Sequence, residues 1–170
     1  MNRISKIFLP VCLLCTILLF NGCDETDDVL GIFVGKGSKV WKLTEIIDVH
    51  TNKPSNYWNN EDDKKISYDL KAQPGTFTIT FSGIGDFDVV NGQYSGRGVT
   101  TSFSGEWTAD GNSKDFRTSK NVSASDTDVL ANGFIRGIEK AYKYEGDYDN
   151  LYIYFKDGQV DKYMLMHRVK

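Results

Sequence analysis

Beyond position 23 the chain has no cysteine; all three, Cys12, Cys15 and Cys23, fall in the first 23 of its 170 residues. The remainder therefore has no internal disulfide, no thiolate nucleophile and no cysteine-based zinc site. Histidine is nearly absent too. His50 and His167 are the two imidazoles, so proton transfer near neutral pH has few candidates. No apolar run is long enough for a bilayer-spanning helix, which needs about 20 residues. The longest covers residues 7–20, 14 positions broken by Pro10 and Thr16. Basic residues are not in excess either. After the first 22 residues, 18 Lys and Arg face 23 Asp and Glu, a formal charge of −5, and the cations are scattered. A nucleic-acid partner, which needs a clustered basic face, is excluded on that ground.

What the sequence does contain begins at its N-terminus. Arg3 and Lys6 precede the apolar run, and small Gly22 stands before Cys23. That is the order of an export signal: cations held on the cytoplasmic side, an apolar stretch that enters the bilayer, a small residue at the cut. Leu19-Phe20-Asn21-Gly22-Cys23 resembles the lipobox of bacterial lipoproteins, with Phe20 standing where an aliphatic residue is usual. The resemblance implies that residues 1–22 are removed and that Cys23 receives diacylglycerol and tethers the protein to a membrane. The alternative is a cleaved secretory signal with Cys23 a bystander, but a lone exported cysteine without a partner in its chain is better explained by lipidation.

Residues 24–28 carry four carboxylates in five positions. Charge at that density repels itself and stays extended, as a solvated linker does. The segment also resembles the acidic export tag of surface lipoproteins of Bacteroidetes, which implies an outer-membrane location with exposure at the cell surface; Asp24 directly after the cysteine also resembles the inner-membrane retention signal of other bacteria, so both locations stay open. With Gly31, Gly35 and Gly37 following, residues 23–38 read as an acidic and glycine-rich tether.

From residue 39 to 170 the pattern is that of one domain of mostly strands. Residues 40–47 are rich in strand formers, with Trp41 and Leu43 on one face. Residues 48–71 are polar, with Pro54 and a charged run at 61–65, and read as a long loop with a short strand near 66–70. Thr76-Phe77-Thr78-Ile79-Thr80-Phe81 alternates strictly, which is the signature of a half-buried strand. Further strands are expected at 86–90, 93–99, 100–109 and near Phe116. One stretch has a helical period: Leu130, Phe134, Ile138 and Ala141 form a stripe within 126–141, with Ser125, Asp126 and Asp128 suited to its start. Gly133 and Gly137, four apart on its flank, suit a helix backbone pressed closely onto a sheet. Strands at 151–155 and 160–169 flank Asp157-Gly158, a strong hairpin dipeptide. The expected class is α+β: a single mostly antiparallel sheet or partly closed barrel with one packed helix before the last strands.

That order resembles the META domain family of small bacterial envelope proteins. The matching residues are Trp41-Lys42-Leu43, Thr78-Ile79-Thr80-Phe81, Phe103-Ser104-Gly105-Glu106-Trp107 and 151–158, with 134–144 similar to that family's helix leading into a strand. The resemblance spans residues 39–168 and implies an architecture but no catalytic residue. A lipocalin-like build, about eight strands with one late helix, fits the same pattern.

Candidate chemistry is sparse. His167 shares a strand face with Tyr163 and Leu165 and reads as a partly buried structural residue; His50 lies at a loop edge without a carboxylate or serine motif. Asp86-x-Asp88 before Asn91-Gly92 lacks the spacing and the Glu of a calcium loop. Asp147 and Asp149, two apart in a short turn, read as solvated rather than as a glycosidase pair. Gly96-x-Gly98 lacks the following helix that would make it a phosphate loop. Asn56-Tyr57-Trp58-Asn59-Asn60 stands out, because two aromatics in a polar loop can stack on sugar rings while amides bond their hydroxyls. The other reading is that Tyr57 and Trp58 fold back over one end of the sheet. No metal or cofactor is expected. The sequence thus suggests a non-enzymatic envelope lipoprotein, held at the membrane through Cys23, that engages an envelope protein or, through Tyr57 and Trp58, a glycan or small ligand.

Overall fold

A computed structural model describes residues 29–35, 39–85, 88–120 and 125–170. Cys23, the acidic segment 24–28 and Asp86 lie outside the described residues. The elements are α1 (Val29–Phe33), β1 (Val40–Asp48), β2 (Lys53–Pro54), α2 (Glu61–Ala72), β3 (Thr78–Gly85), β4 (Val89–Arg97), β5 (Ser102–Asp110), β6 (Phe116–Lys120), α3 (Val129–Glu139), β7 (Ala141–Gly146), β8 (Asn150–Asp157) and β9 (Val160–Arg168). All strands join one antiparallel sheet in the order β6-β5-β4-β3-β1-β9-β8-β7, with β2 beside β1. The α+β expectation holds.

The sheet is strongly curled but not closed. Its outer strands touch at a bridge between Asp115 and Lys143, where the Tyr144 N–H donates to the Lys114 carbonyl at 3.0 Å. Alternation along the strands sends one set of side chains inward: Trp41, Leu43 and Ile46 from β1, Ile79 and Phe81 from β3, Phe103 and Trp107 from β5, Ile153 and Phe155 from β8, Met164 and Met166 from β9, all buried. Small residues on the inner face of β4 and β5 permit the curl. A Cβ on Gly105 would lie 1.8 Å from the Ser119 carbonyl oxygen of β6 and 2.6 Å from the Tyr94 hydroxyl.

The register assigns the turns to two ends. Because β1 pairs antiparallel with both β3 and β9, the start of β1, the β3–β4 turn, the β7–β8 turn at 147–149 and the chain's last residues lie at one end. The β4–β5 turn, the β8–β9 turn and the start of α3 lie at the other. A helix plugs each end. At the first, α1 inserts Val29, Ile32 and Phe33 into the core, where the Phe33 ring lies 5.2 Å from that of Phe116 in a stacked pair and 5.0 Å from those of Phe81 and Tyr144. At the second, α3 places Phe134 5.6 Å from Phe103 and 6.3 Å from Phe77. The interior that a lipocalin-like barrel keeps for a ligand is thus occupied by the chain's own aromatics.

Two expectations are corrected. Residues 23–38 are not tether throughout, because α1 is part of the core. It ends where Gly35, at φ +66°, lets the Val34 and Gly35 amides reach the Leu30 carbonyl, and the nearly buried Lys39 ammonium caps its last carbonyls by donating to those of Gly31 and Ile32 at 2.6 and 3.0 Å. The three glycines and five-residue length hid it, since a single turn has no readable period. The 48–71 loop likewise contains α2 in place of a strand near 66–70. Asn60 caps it by accepting from the Asp63 N–H at 2.8 Å, and Glu61, Asp62 and Asp63 suit the positive end of its dipole. Only Ser67 of this helix is buried, so no apolar stripe announced it.

The glycine pair of α3 behaves partly as expected. A Cβ on Gly137 would meet the Met164 sulfur at 2.8 Å, close packing on the sheet, whereas one on Gly133 would meet the Tyr57 ring at 3.0 Å. Gly133→Val is accordingly expected to eject Tyr57 from its seat and lower stability by about 1–3 kcal/mol, as overpacking does. Urea unfolding with the exposure of Tyr57 read by nuclear magnetic resonance checks this.

Candidate functional site

The loop between β2 and α2 is held by backbone bonds before its aromatics are placed. The Ser55 N–H donates to the Ile46 carbonyl at 2.8 Å, and the Asn56 side chain accepts from the Trp58 N–H at 3.2 Å. These turn residues 55–58 back over the end of the molecule that α3 plugs. Trp58, 8% exposed, then lies between Tyr57, 6.2 Å away at right angles, and Tyr68, 5.6 Å away. Its indole N–H donates to Ser67 Oγ at 2.7 Å, the Ser67 hydroxyl donates to Asp128 Oδ2, and Asp128 Oδ1 accepts from the Ala131 N–H at 2.8 Å. Asp128 is the N-cap of α3, so one chain of hydrogen bonds ties loop, α2 and α3 together.

Tyr57 points the other way, onto Gly133 and a compact charged group. Lys162 Nζ sits 4.5 Å from the Tyr57 ring centroid, donates to its oxygen at 3.3 Å and pairs with Asp157 at 2.7 Å. Burial, and then the negative Asp157 beside it, push the Tyr57 hydroxyl well above the ordinary tyrosine range. Asp157 itself is held below the usual carboxylate range: burial opposes its charge, but the Lys162 bond and the nearby cations outweigh that. Tyr57 stays protonated and works as a packed strut rather than a base.

Together Tyr57, Trp58, Asn59, Asp63, Ile66, Ser67, Thr127, Asp128 and Val129 line an open cleft of about 280 Å³. Its wall includes Ile66 and Val129, 57% and 44% exposed, both large apolar side chains facing water at a concave site. Asp63 and Asp128 are its charges and no cation lines it. Both readings of the aromatic pair thus have a structural counterpart: Trp58 folds back as a cover, and its edge forms part of a cleft. Sequence reasoning missed Ile66, Ser67, Thr127 and Val129; the signal that could have found Ile66 and Ser67 is the capping pair Asn60 and Asp63, which marks a helix start at Glu61, five residues before Ile66.

The arrangement does not offer nucleophilic chemistry. Ser67 Oγ is buried between indole and carboxylate, with no imidazole against it. His50 is exposed in the β1–β2 turn, where its backbone N–H donates to Asp48 Oδ1 at 2.9 Å. His167, expected to be partly buried, is exposed on the outer face and shares a 2.8 Å hydrogen bond with Thr44; the inward side chains of its strand are Met164 and Met166. Asp147 accepts from the Asp149 and Asn150 N–H groups in the β7–β8 turn, and Asp149 pairs with Arg168. Gly96 lies in β4 and Gly98 in the β4–β5 turn, and the chain runs on from them into a strand and not a helix. Among the described residues no group of three or more His, Cys, Asp or Glu is placed to hold a metal ion, and no helix is long and apolar enough to cross a membrane.

The model of a family described as a domain of unknown function, DUF4847, matches residues 24–168, and the chain belongs to that family. A crystal structure of a DUF4847 family protein from Bacteroides vulgatus ATCC 8482 is similar in fold, with a TM-score of 0.53 at 20% identity, covering 75% of this chain and 90% of that one. No curated protein matches.

Proposed function

We propose that this member of the DUF4847 family is a membrane-anchored envelope lipoprotein whose domain is a non-enzymatic binding module, engaging a macromolecular partner in the envelope. The observation that carries the reading is the placement of Cys23. It follows an apolar run in a lipobox-like sequence, and six residues later Val29 is already in the core. Six peptide steps span at most about 20 Å. A lipid on Cys23 would therefore hold the α1-plugged end close to the bilayer and turn the Trp58 cleft outward. The acidic residues 24–28 would occupy the gap, which suits the outer-membrane, surface-exported placement suggested by their resemblance to Bacteroidetes tags. The META-like order of elements, in which a late helix packs against the sheet, belongs to the same reading.

A separate observation favours recognition of a glycan or small ligand: the concave site joins aromatic, aliphatic and hydroxyl-bonding groups. The anchor is tested by Cys23→Ser. The wild-type protein should sediment with membranes and carry lipid, and the variant should be either soluble or an uncleaved precursor without lipid; a variant still acylated would refute the anchor.

A further inference from the structure

We infer that the cleft between the starts of α2 and α3 is a subsite for a neutral, hydroxyl-rich ligand, one or two sugar rings of an envelope or environmental glycan. The inference rests on the domain being a binding module but not on the lipid anchor. Size comes first: about 280 Å³ stands just below the range of small-ligand sites, roughly 300 to 1,000 Å³, which limits the occupant to one or two rings. The lining fits one class of molecule. A sugar has apolar C–H faces and a rim of hydroxyls that both donate and accept. Ile66, Val129 and the edges of Tyr57 and Trp58 offer the apolar surface, while the exposed Asn59 amide, Asp63 carboxylate and Thr127 hydroxyl surround it with polar groups of both kinds.

Charge narrows the class. Two carboxylates and no cation line the cleft, so sulfated, phosphorylated or uronic-acid ligands are disfavoured. Asp128 is already engaged by Ser67 and Ala131, which leaves Asp63 as the carboxylate able to turn toward a ligand; its present side-chain partner is the exposed Asn60 amide at 2.8 Å. Preorganisation is also present. The bonds from Trp58 through Ser67 to Asp128 fix the floor, and the Lys162–Asp157 pair fixes Tyr57, so binding would order few side chains.

The test uses the protein as extracted from its host in detergent, probed with an array of neutral gluco-, galacto-, manno- and N-acetylglucosamine oligosaccharides, a sulfated polysaccharide and a lysine-rich peptide. Thr127→Trp fills the cleft from an exposed position, and Val129→Glu changes its wall without touching the core; equal melting temperatures confirm both variants are folded. In wild type and Val129→Glu, where Trp41 and Trp107 are fully buried, acrylamide quenching of tryptophan fluorescence reports mainly on Trp58; Thr127→Trp adds an exposed indole and is read by sugar retention alone. The expected result is retention of at least one neutral oligosaccharide, weakened tenfold or more by each variant, with reduced quenching at saturation. Absence of neutral-sugar retention, retention that survives Thr127→Trp, or a preference for the sulfated or lysine-rich probe would overturn the assignment. A partner protein captured by wild type and lost in Thr127→Trp would also overturn it, while leaving the binding-module reading in place.

Discussion

Phe33→Ala is expected to lower the stability of the domain by about 3–5 kcal/mol, the range for deleting a fully buried aromatic. The Phe33 ring has no exposure and touches four other rings, with Trp107 at 4.7 Å and tilted, Phe116 stacked, and Phe81 and Tyr144 edge-on. Nothing nearby can collapse into the space, because Phe81, Trp107 and Phe116 are fixed on strands of one sheet and meet Phe33 from different sides. Marginal stability makes that loss decisive, since whole domains are held by only about 5–15 kcal/mol. Equilibrium urea unfolding of wild type and variant checks it. A change below about 1 kcal/mol would mean that α1 lies on the domain as a loose tether, and would free the anchor from the fold.

The second large effect is expected at Asp126. Its carboxylate accepts from the backbone N–H groups of Val99, Thr100 and Thr101 at 2.9, 3.0 and 2.9 Å and from Asp128 at 3.1 Å, pinning the β4–β5 turn to the start of α3. Asp126→Ala should cost about 2–3 kcal/mol, since several amides lose a charged acceptor at once. Burial opposes the charge of Asp126, but those backbone donors outweigh it and hold its carboxyl below the ordinary aspartate range. The sign follows. A depressed folded-state value contributes stability that is complete above the unfolded aspartate value near 3.9 and is lost as pH falls through the folded value. Asp126→Asn should therefore flatten the acid limb of a stability–pH curve below about pH 4 relative to wild type. An unchanged limb would assign acid sensitivity to other carboxylates.

The strands were legible wherever alternation was regular. Ile79 and Phe81 of β3 are buried, as their spacing implied, while Phe77, also buried, sits before the strand at φ +50°; Leu130, Phe134 and Ile138 are buried in α3, whereas Ala141, expected in the same stripe, opens β7. The Asp157-Gly158 hairpin is present, with Gly158 at φ +67°. What could not be read were elements that bury little or are too short to repeat. The α2 helix fully buries only Ser67, with Tyr68 and Leu70 partly buried against the core, so its chain segment looks like a loop, and the charges that cap its first turn look like solvated linker. The α1 helix is one turn, and its three buried residues acquire meaning only once the curled sheet has an open end to fill. The site shared that fate. Tyr57 and Trp58 drew notice as aromatics in a polar loop, but Ile66 and Val129 face the same cleft only because α2 forms, and Ser67 joins Trp58 to Asp128 across a separation that no local pattern encodes.

The most direct test of an anchored envelope protein is intact-mass and N-terminal peptide mass spectrometry of the protein extracted from its native membranes. The account predicts that the mature chain starts at Cys23 with diacylglycerol on its sulfur and residues 1–22 gone. An unmodified Cys23, whether the chain is uncut or cut elsewhere, would contradict it.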